Sequence, residues 1–252
     1  MKSLIKDQLN VKIFKTREQM GQCAAEEISK KIKELLKTEE TINMIFAAAP
    51  SQNDVLKALT EDKTIPFNKI NAFHMDEYIG LSKDAPQGFG NFLKRSLFDK
   101  ADFLSVNYID SEATDIQKEC ERYSALLKTH PIHIVVLGIG ENGHIAFNDP
   151  HVADFNDKET VKAVTLDEVC RQQQVNDGCF ENLDYVPKQA LTLTIPVLFG
   201  GQNLFCIVPA KTKAWAVNET INGEISEKCP ASILRNHKNC TLYLDSESAS
   251  ML

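Results

Sequence analysis

The chain has 252 residues, with 28 basic and 35 acidic side chains and a formal net charge of −7. That balance excludes the basic face of a duplex nucleic-acid binder and the polybasic cluster of a membrane-surface anchor. Hydrophobic residues make up 43% and charged residues 25% of the chain, which fits a folded globular protein and excludes a disordered one.

The N-terminal residues, MKSLIKDQLNVKIF, lack the continuous apolar core of a signal peptide. Within them Val11–Phe14 reads as a first strand. Thr16, with Gln19 three residues on, is a capping-box signal that starts a helix. Met20, Ala24, Ile28, Ile32 and Leu35 follow at helical spacing and predict its buried stripe. Ile42–Ala48 is a short apolar run ending near Pro50 and reads as a buried strand. Ser51-Gln-Asn-Asp54 is a second capping signal, predicting a helix to about Leu59. Ile70–His74 reads as a strand, and Phe89–Phe98 and Ile116–Leu127 as helices. His133–Leu137, β-branched and continuous, is the clearest buried strand, and Gly138-Ile-Gly140 follows it. Further strands are expected at Thr160–Thr165, Ala190–Ile195, Asn203–Val208 and Thr241–Leu244, with helices at Thr212–Ile221 and Ala231–Asn236. Apolar strands alternating with amphipathic helices predict an α/β fold: a doubly wound, mainly parallel sheet with helices on both faces. No linker, repeat or composition shift divides residues 1–252, so one domain is expected. No apolar run reaches the roughly 20 residues that span a bilayer. The seven cysteines are odd in number and form no CxxC, which reads as reduced thiols in a cytoplasmic protein with no metal site.

In such sheets ligands collect beyond the carboxyl ends of the strands, and four segments there carry chemistry. Asp76 and Glu77 follow the strand Ile70–His74. One of them can serve as a general base whose proton affinity is raised by partial burial; the alternative is a solvated acid or a helix cap. Residues 138–150, GIGENGHIAFNDP, combine three glycines with His144 and, five residues on, Asp149. The glycines let backbone turn tightly or approach a ligand, and a His–carboxylate pair can shuttle protons. GxGxxG at Gly138, Gly140 and Gly143 is a poor dinucleotide fingerprint, because Asn148-Asp149-Pro150 stops the helix that motif requires. Pro50-Ser51-Gln52 opens a helix N-terminus suited to an anion, or an ordinary cap. Lys211, Lys213 and Arg171 are candidate phosphate clamps, the alternative being a solvated basic face.

HMDEYIGL (74–81) and GIGENGHIAFNDP (138–150) resemble the two signature segments of the glucosamine-6-phosphate deaminase (isomerase) family, in the superfamily that also holds 6-phosphogluconolactonases. PKQALTLTI (187–195), AKTKAWAV (210–217) and PASIL (230–234) resemble its later blocks in the same order. The resemblance implies a Rossmann-like fold and conversion of an amino-sugar phosphate to fructose 6-phosphate and ammonia, without metal or organic cofactor. It implies Asp76 as the base between C2 and C1, and His144 as the ring opener with Asn142 and Asp149. Ser51, Gln52, Lys213 and Arg171 are implied at the phosphate, with Gly143 giving close backbone approach. Residues 151–186 correspond to the family's lid. Three positions depart from the family pattern: AAAPSQ replaces a glycine-containing phosphate loop, Asp149 replaces Glu, and Asn142 stands where relatives have Asp or Asn. Glu141 is the neighbouring carboxylate that could compensate for Asn142. The implied partner is a small sugar phosphate, with no nucleic acid or membrane; both a monomer and a homo-oligomer are compatible, and no tail for an allosteric site is seen. The competing expectations are a galactosamine-6-phosphate deaminase, a 6-phosphogluconolactonase and a non-catalytic sugar-phosphate sensor.

Overall fold

The computed structural model describes residues 1–252. The chain opens with a hairpin, β1 (Lys2–Lys6) and β2 (Leu9–Ile13), turning at Asp7 with positive φ. Helix α1 (Arg17–Leu35) starts as its sequence predicts, with the Thr16 hydroxyl accepting from the Gln19 N–H at 3.3 Å. Strand β3 (Ile42–Phe46), helix α2 (Asn53–Glu61) and strand β4 (Ile70–His74) follow. Next come β5 (Asp76–Tyr78), α3 (Phe89–Ser96), β6 (Ser105–Asn107), α4 (Ile116–Lys128) and β7 (Ile134–Leu137). The second half holds β8 (Val161–Thr165), α5 (Glu168–Asn176), β9 (Gln189–Leu193) and α6 (Ile195–Phe199). It ends with β10 (Asn203–Val208), α7 (Ala214–Asn222) and β11 (Cys240–Leu244).

Eight strands form the main sheet in the order β1-β2-β11-β10-β7-β3-β4-β6, parallel throughout except for the β1–β2 hairpin. Its central strands β3, β7 and β10 are buried along their whole length, the pattern of a sheet covered on both faces. One apolar layer joins the stripe of α1 (Met20, Ala24, Ile28, Ile32) to α2 and α3; the other joins α4 and α7 to the opposite face. The doubly wound architecture expected from the sequence is therefore present. A second, three-stranded antiparallel sheet, β5-β9-β8, stands beside it and was not foreseen.

Two local readings are corrected. Ser51 does not cap a helix: it lies inside a 3-10 turn, Pro50–Gln52, that runs into α2 with no side-chain cap. Asp54 instead pairs with Arg17 of α1. The predicted helix over Ala231–Asn236 is a 3-10 segment, Pro230–Asn236. All seven cysteines are free, and no helix is long and apolar enough to cross a membrane.

Candidate active site

From β3 the chain winds outward through β4 and β6. It then returns to place β7 on the other side of β3 and continues to β10 and β11. The crevice between the diverging β3 and β7 loops is the topological switch point at which doubly wound sheets bind ligands. A cleft opens there, about 490 Å³ with its solvent-filled mouth included. The β3 loop contributes Ala47–Ala49, Ser51 and Gln52; the β7 loop contributes Gly138, Gly140 and His144. Asp76 enters from the end of β4, Lys213 from the end of β10, and Gln173 and Gln174 from α5. Phe89 and Phe147, stacked at 5.4 Å, give it an apolar side.

Asp76 sits where the chain leaves β4 and enters β5, and His74 fixes that turn. The His74 Nδ1–H donates to the Asp76 carbonyl at 2.9 Å, and Nε2 accepts the Ile109 N–H at 2.9 Å, so the partners dictate the tautomer. Burial pushes the His74 imidazole down to about 4, against the bond to the Asp76 carbonyl, so at neutral pH it is an uncharged strut. The Asp76 carboxylate, 6% exposed, makes no hydrogen bond within the protein and faces the cleft. Burial, and then the charge of Glu77, raise its proton affinity well above the usual carboxylate range. Glu77 points the other way, accepting the N–H groups of Tyr78 (2.9 Å), Phe89 (3.1 Å) and Gly90 (2.8 Å) at the start of α3. Glu77 therefore serves the start of α3, and Asp76 is the member of the pair left facing the cleft.

His144 is held by a polar relay. Its Nδ1 lies 2.8 Å from Asn142 Oδ1 and 3.0 Å from Asp149 Oδ1, and its backbone N–H donates to the same Asn142 oxygen at 3.1 Å. With Nδ1 donating, Nε2 is the ring nitrogen without a protein partner. Asn142 Nδ2 donates to Asp149 Oδ1 at 3.0 Å and to Asp167 Oδ2 at 3.1 Å. Burial alone would raise the Asp149 pKa, but the bonds from His144, Asn142 and the Asp167 backbone outweigh it and hold the carboxyl below its usual range. The imidazole lies flat over Gly140, where a methyl group would overlap its ring atoms. Asn148 closes the turn, donating through Nδ2 to the carbonyls of Ile145 (2.9 Å) and Leu193 (2.8 Å), which fastens the loop to β9.

At the other end of the cleft the Lys213 ammonium is buried, 4% exposed, with no hydrogen-bond partner. Burial lowers its pKa, opposed by the negative charges of Asp177 and Glu141. Gln52, fully buried, donates to Ser51 Oγ (3.1 Å) and the Ile207 carbonyl (3.2 Å), while its Oε1 is unpartnered. Gly138 makes room for this pair: a Cβ there would come within 3.0 Å of Gln52 Nε2. The unpaired buried ammonium of Lys213 can take an anion, and the Ser51 hydroxyl, which accepts from Gln52 Nε2, keeps its own proton to donate.

Two residues expected at the site stand elsewhere. Arg171 is absent from the cleft; its guanidinium donates to the carbonyls of Leu183 (2.6 Å) and Val186 (3.0 Å) and ties α5 to the chain beyond it. Gly143 also lies off the cleft; with φ of +84° it serves the turn, and its Cα faces Cys229. Glu141, read as a compensating carboxylate, makes no bond to His144; its backbone N–H donates to Gln173 Oε1 at 2.9 Å. Asp167, Gln173 and Gln174 were missed, because their approach depends on how α5 folds back; a local signal exists only for Asp167, as the Asp before α5. The nitrogen, oxygen and sulfur atoms of His144, Asp149 and Cys170 lie within 4.8 Å of one another, as do the ligand atoms of Asp149, His151 and Asp167. These are the two sets that could take a cation.

Fold and site together define a doubly wound α/β protein with a buried carboxylate, an oriented imidazole and an unpaired ammonium at its switch point. The chain belongs to the glucosamine-6-phosphate isomerase/6-phosphogluconolactonase family, whose model matches residues 15–243. It is 35% identical over 227 residues to a glucosamine-6-phosphate deaminase of Listeria innocua, covering 89% of this chain and 95% of that protein. Identity to the deaminase of Bacillus cereus is 32% over 243 residues, with 96% and 89% covered. Among solved structures, a monomeric glucosamine-6-phosphate deaminase superposes with a TM-score of 0.86 at 31% identity, covering 96% of this chain and 99% of that one. The 6-phosphogluconolactonase of Trypanosoma brucei reaches 0.79 at 17% identity with both chains fully covered, a likeness of fold.

Proposed function

We propose that the protein is an amino-sugar phosphate deaminase that converts glucosamine 6-phosphate and water to fructose 6-phosphate and ammonia. The observation that carries this reading is the cleft itself. It sets a carboxylate without hydrogen bonds, an oriented imidazole and an unpaired buried ammonium around one cleft. The deaminase relatives, similar over most of the chain, support it.

The phosphate pairs with the Lys213 ammonium and takes a hydrogen bond from the Ser51 hydroxyl, which Gln52 Nε2 orients. Anchored there, the sugar has its reacting end held toward Asp76 and His144, and binding energy is converted into orientation. His144, its Nδ1 side held by Asn142 and Asp149, uses Nε2 to take the proton from O1 and return it to the ring oxygen, which opens the pyranose. Asp76 then removes the C2 proton. Its raised proton affinity brings it closer to the task, and a positioned base of this kind typically contributes about 10²–10⁴-fold. Delivery of that proton to C1 converts the enolamine to a C2 imine. Water adds to the imine, ammonia leaves, and the 2-ketose remains. Residues 151–186 act as the lid in this reading, with Gln173 and Gln174 on its inner wall.

The test is ammonia release from purified protein given glucosamine 6-phosphate and, separately, its C4 epimer galactosamine 6-phosphate. Release from the first with little from the second supports the proposal. Preference for the second assigns the same chemistry to the other epimer. Silence with both, alongside hydrolysis of 6-phosphogluconolactone, would replace the deaminase reading with a lactonase.

A further inference from the structure

Asp167 lies in the short link between β8 and α5 and makes contacts in two directions. Oδ1 accepts the Cys170 N–H at 2.6 Å and so caps α5. Oδ2 lies 3.1 Å from Asn142 Nδ2, and the Asp167 backbone N–H reaches Asp149 Oδ2 at 3.4 Å. Asn142 therefore has its whole amide engaged: Oδ1 toward the N–H and ring of His144, and Nδ2 shared between Asp149 and Asp167. A primary amide presents two donors on one side and one acceptor on the other, and rotation by half a turn exchanges them. Two carboxylates on the Nδ2 side forbid that exchange, because a flipped amide would set Oδ1 against two acceptors.

The orientation matters to the ring. With Oδ1 facing it, His144 Nδ1 must carry the proton, which leaves Nε2 with the free lone pair. With Nδ2 facing it, Nδ1 would lie between an Asn142 donor and the Asp149 carboxylate 3.0 Å away, and two acceptors would no longer hold the proton there. The Nδ1–H tautomer thus rests on Asp149 together with the orientation of Asn142.

We propose that Asp167 is a positioning residue of the proton relay: with Asp149 it locks the Asn142 amide against His144 Nδ1, and it couples that relay to α5. The inference rests on the deaminase reading, since it assigns His144 a proton-transfer role. The coupling has a structural sense. α5 carries Gln173 and Gln174 on the cleft wall, so the helix that closes on a sugar phosphate shares one carboxylate with the group that opens its ring.

An ordinary helix cap is the competing account, and Asn and Ser cap a helix about as well as Asp. Asp167→Ser keeps a capping oxygen but withdraws from Asn142. Asp167→Asn keeps the cap and removes the charge. Both should retain the wild-type Tm to within a few degrees, yet lower kcat for the hexosamine 6-phosphate about 10- to 100-fold, with KM changing much less. In an Asn142→Ala background, Asp167→Asn should have little further effect on kcat, because the relay it acts through is already gone. Wild-type kcat in either single variant, or losses that add fully with Asn142→Ala, would overturn the inference while wild-type ammonia release leaves the deaminase reading standing. No ammonia from the wild type on either epimer would remove that reading, and this inference with it.

Discussion

Lys213 carries opposite predictions for stability and for binding. A buried ammonium with no partner costs the empty protein free energy, on the order of 1–3 kcal/mol for an unsatisfied polar group and more for a charged one. Lys213→Met keeps the stem and removes the charge. It should raise the unfolding free energy by about 1 kcal/mol or more, yet raise KM by about 10- to 100-fold through loss of a charge-assisted contact. Chemical denaturation and steady-state kinetics read the two effects on the same samples, and a lower stability with unchanged KM would contradict this role. Gly140 makes a second prediction. Because a methyl there would overlap the His144 ring, Gly140→Ala should displace the imidazole and lower kcat about 10²-fold while the fold persists. Asp76 makes a third, in pH. Its pKa is raised by burial and by Glu77, and it must be ionised to act. The acid limb of kcat/KM should therefore lie clearly above the ordinary Asp value of about 3.9; a limb at that value would remove Asp76 as the base.

Among the elements, the sequence made the central strands legible and the additions to them illegible. The runs Ile42–Phe46, Ile70–His74, Ile134–Leu137 and Asn203–Val208 are apolar because both faces are covered, and this burial alone announces a parallel strand. β1, β5 and β6 are short or exposed edge segments whose pairing is decided by partners distant in sequence. α5 carries a weak apolar stripe and glutamines, so its role as a cleft wall came only with the fold. The same limit explains the site. Asp76, His144, Asp149 and Lys213 each follow a strand and were readable from local order, whereas Gln173 and Gln174 reach the cleft, and Asp167 reaches Asn142, by tertiary return. Arg171 was misplaced for that reason: its position on α5 turns it to the carbonyls of Leu183 and Val186. Arg171→Met should therefore lower stability by about 1–3 kcal/mol and speed amide exchange across 168–186, with KM changing far less than in Lys213→Met. A KM increase matching that of Lys213→Met would restore Arg171 to the phosphate.

For the molecule as a whole, buried histidines weaken the fold as pH falls. His74 titrates near 6.5 when unfolded but about 4 when folded, because burial disfavours its charged form. The folded value is the lower one, so the unfolded chain takes up the proton first. The His74 contribution is intact above pH 6.5 and falls as pH drops toward 4, by up to about 1.4 kcal/mol per pH unit. Burial lowers His133 and His237 in the same sense, while Asp76 and Glu77, raised by burial, pull the other way. Comparing variants isolates the His74 share: the stability gap between wild type and His74→Gln should narrow between about pH 7 and about pH 5. A gap that stays constant would mean that His74 is charged in the fold. In the proposed reaction the doubly wound sheet and its cleft serve one chemical event, loss of the C2 proton from an opened sugar. That event is followed most directly by NMR of glucosamine 6-phosphate incubated in deuterium oxide with wild type and with Asp76→Asn. The account predicts that the wild type removes the C2 hydrogen as fructose 6-phosphate forms, and that Asp76→Asn binds the sugar but leaves C2–H intact. Loss of that hydrogen at a wild-type rate in Asp76→Asn would contradict it.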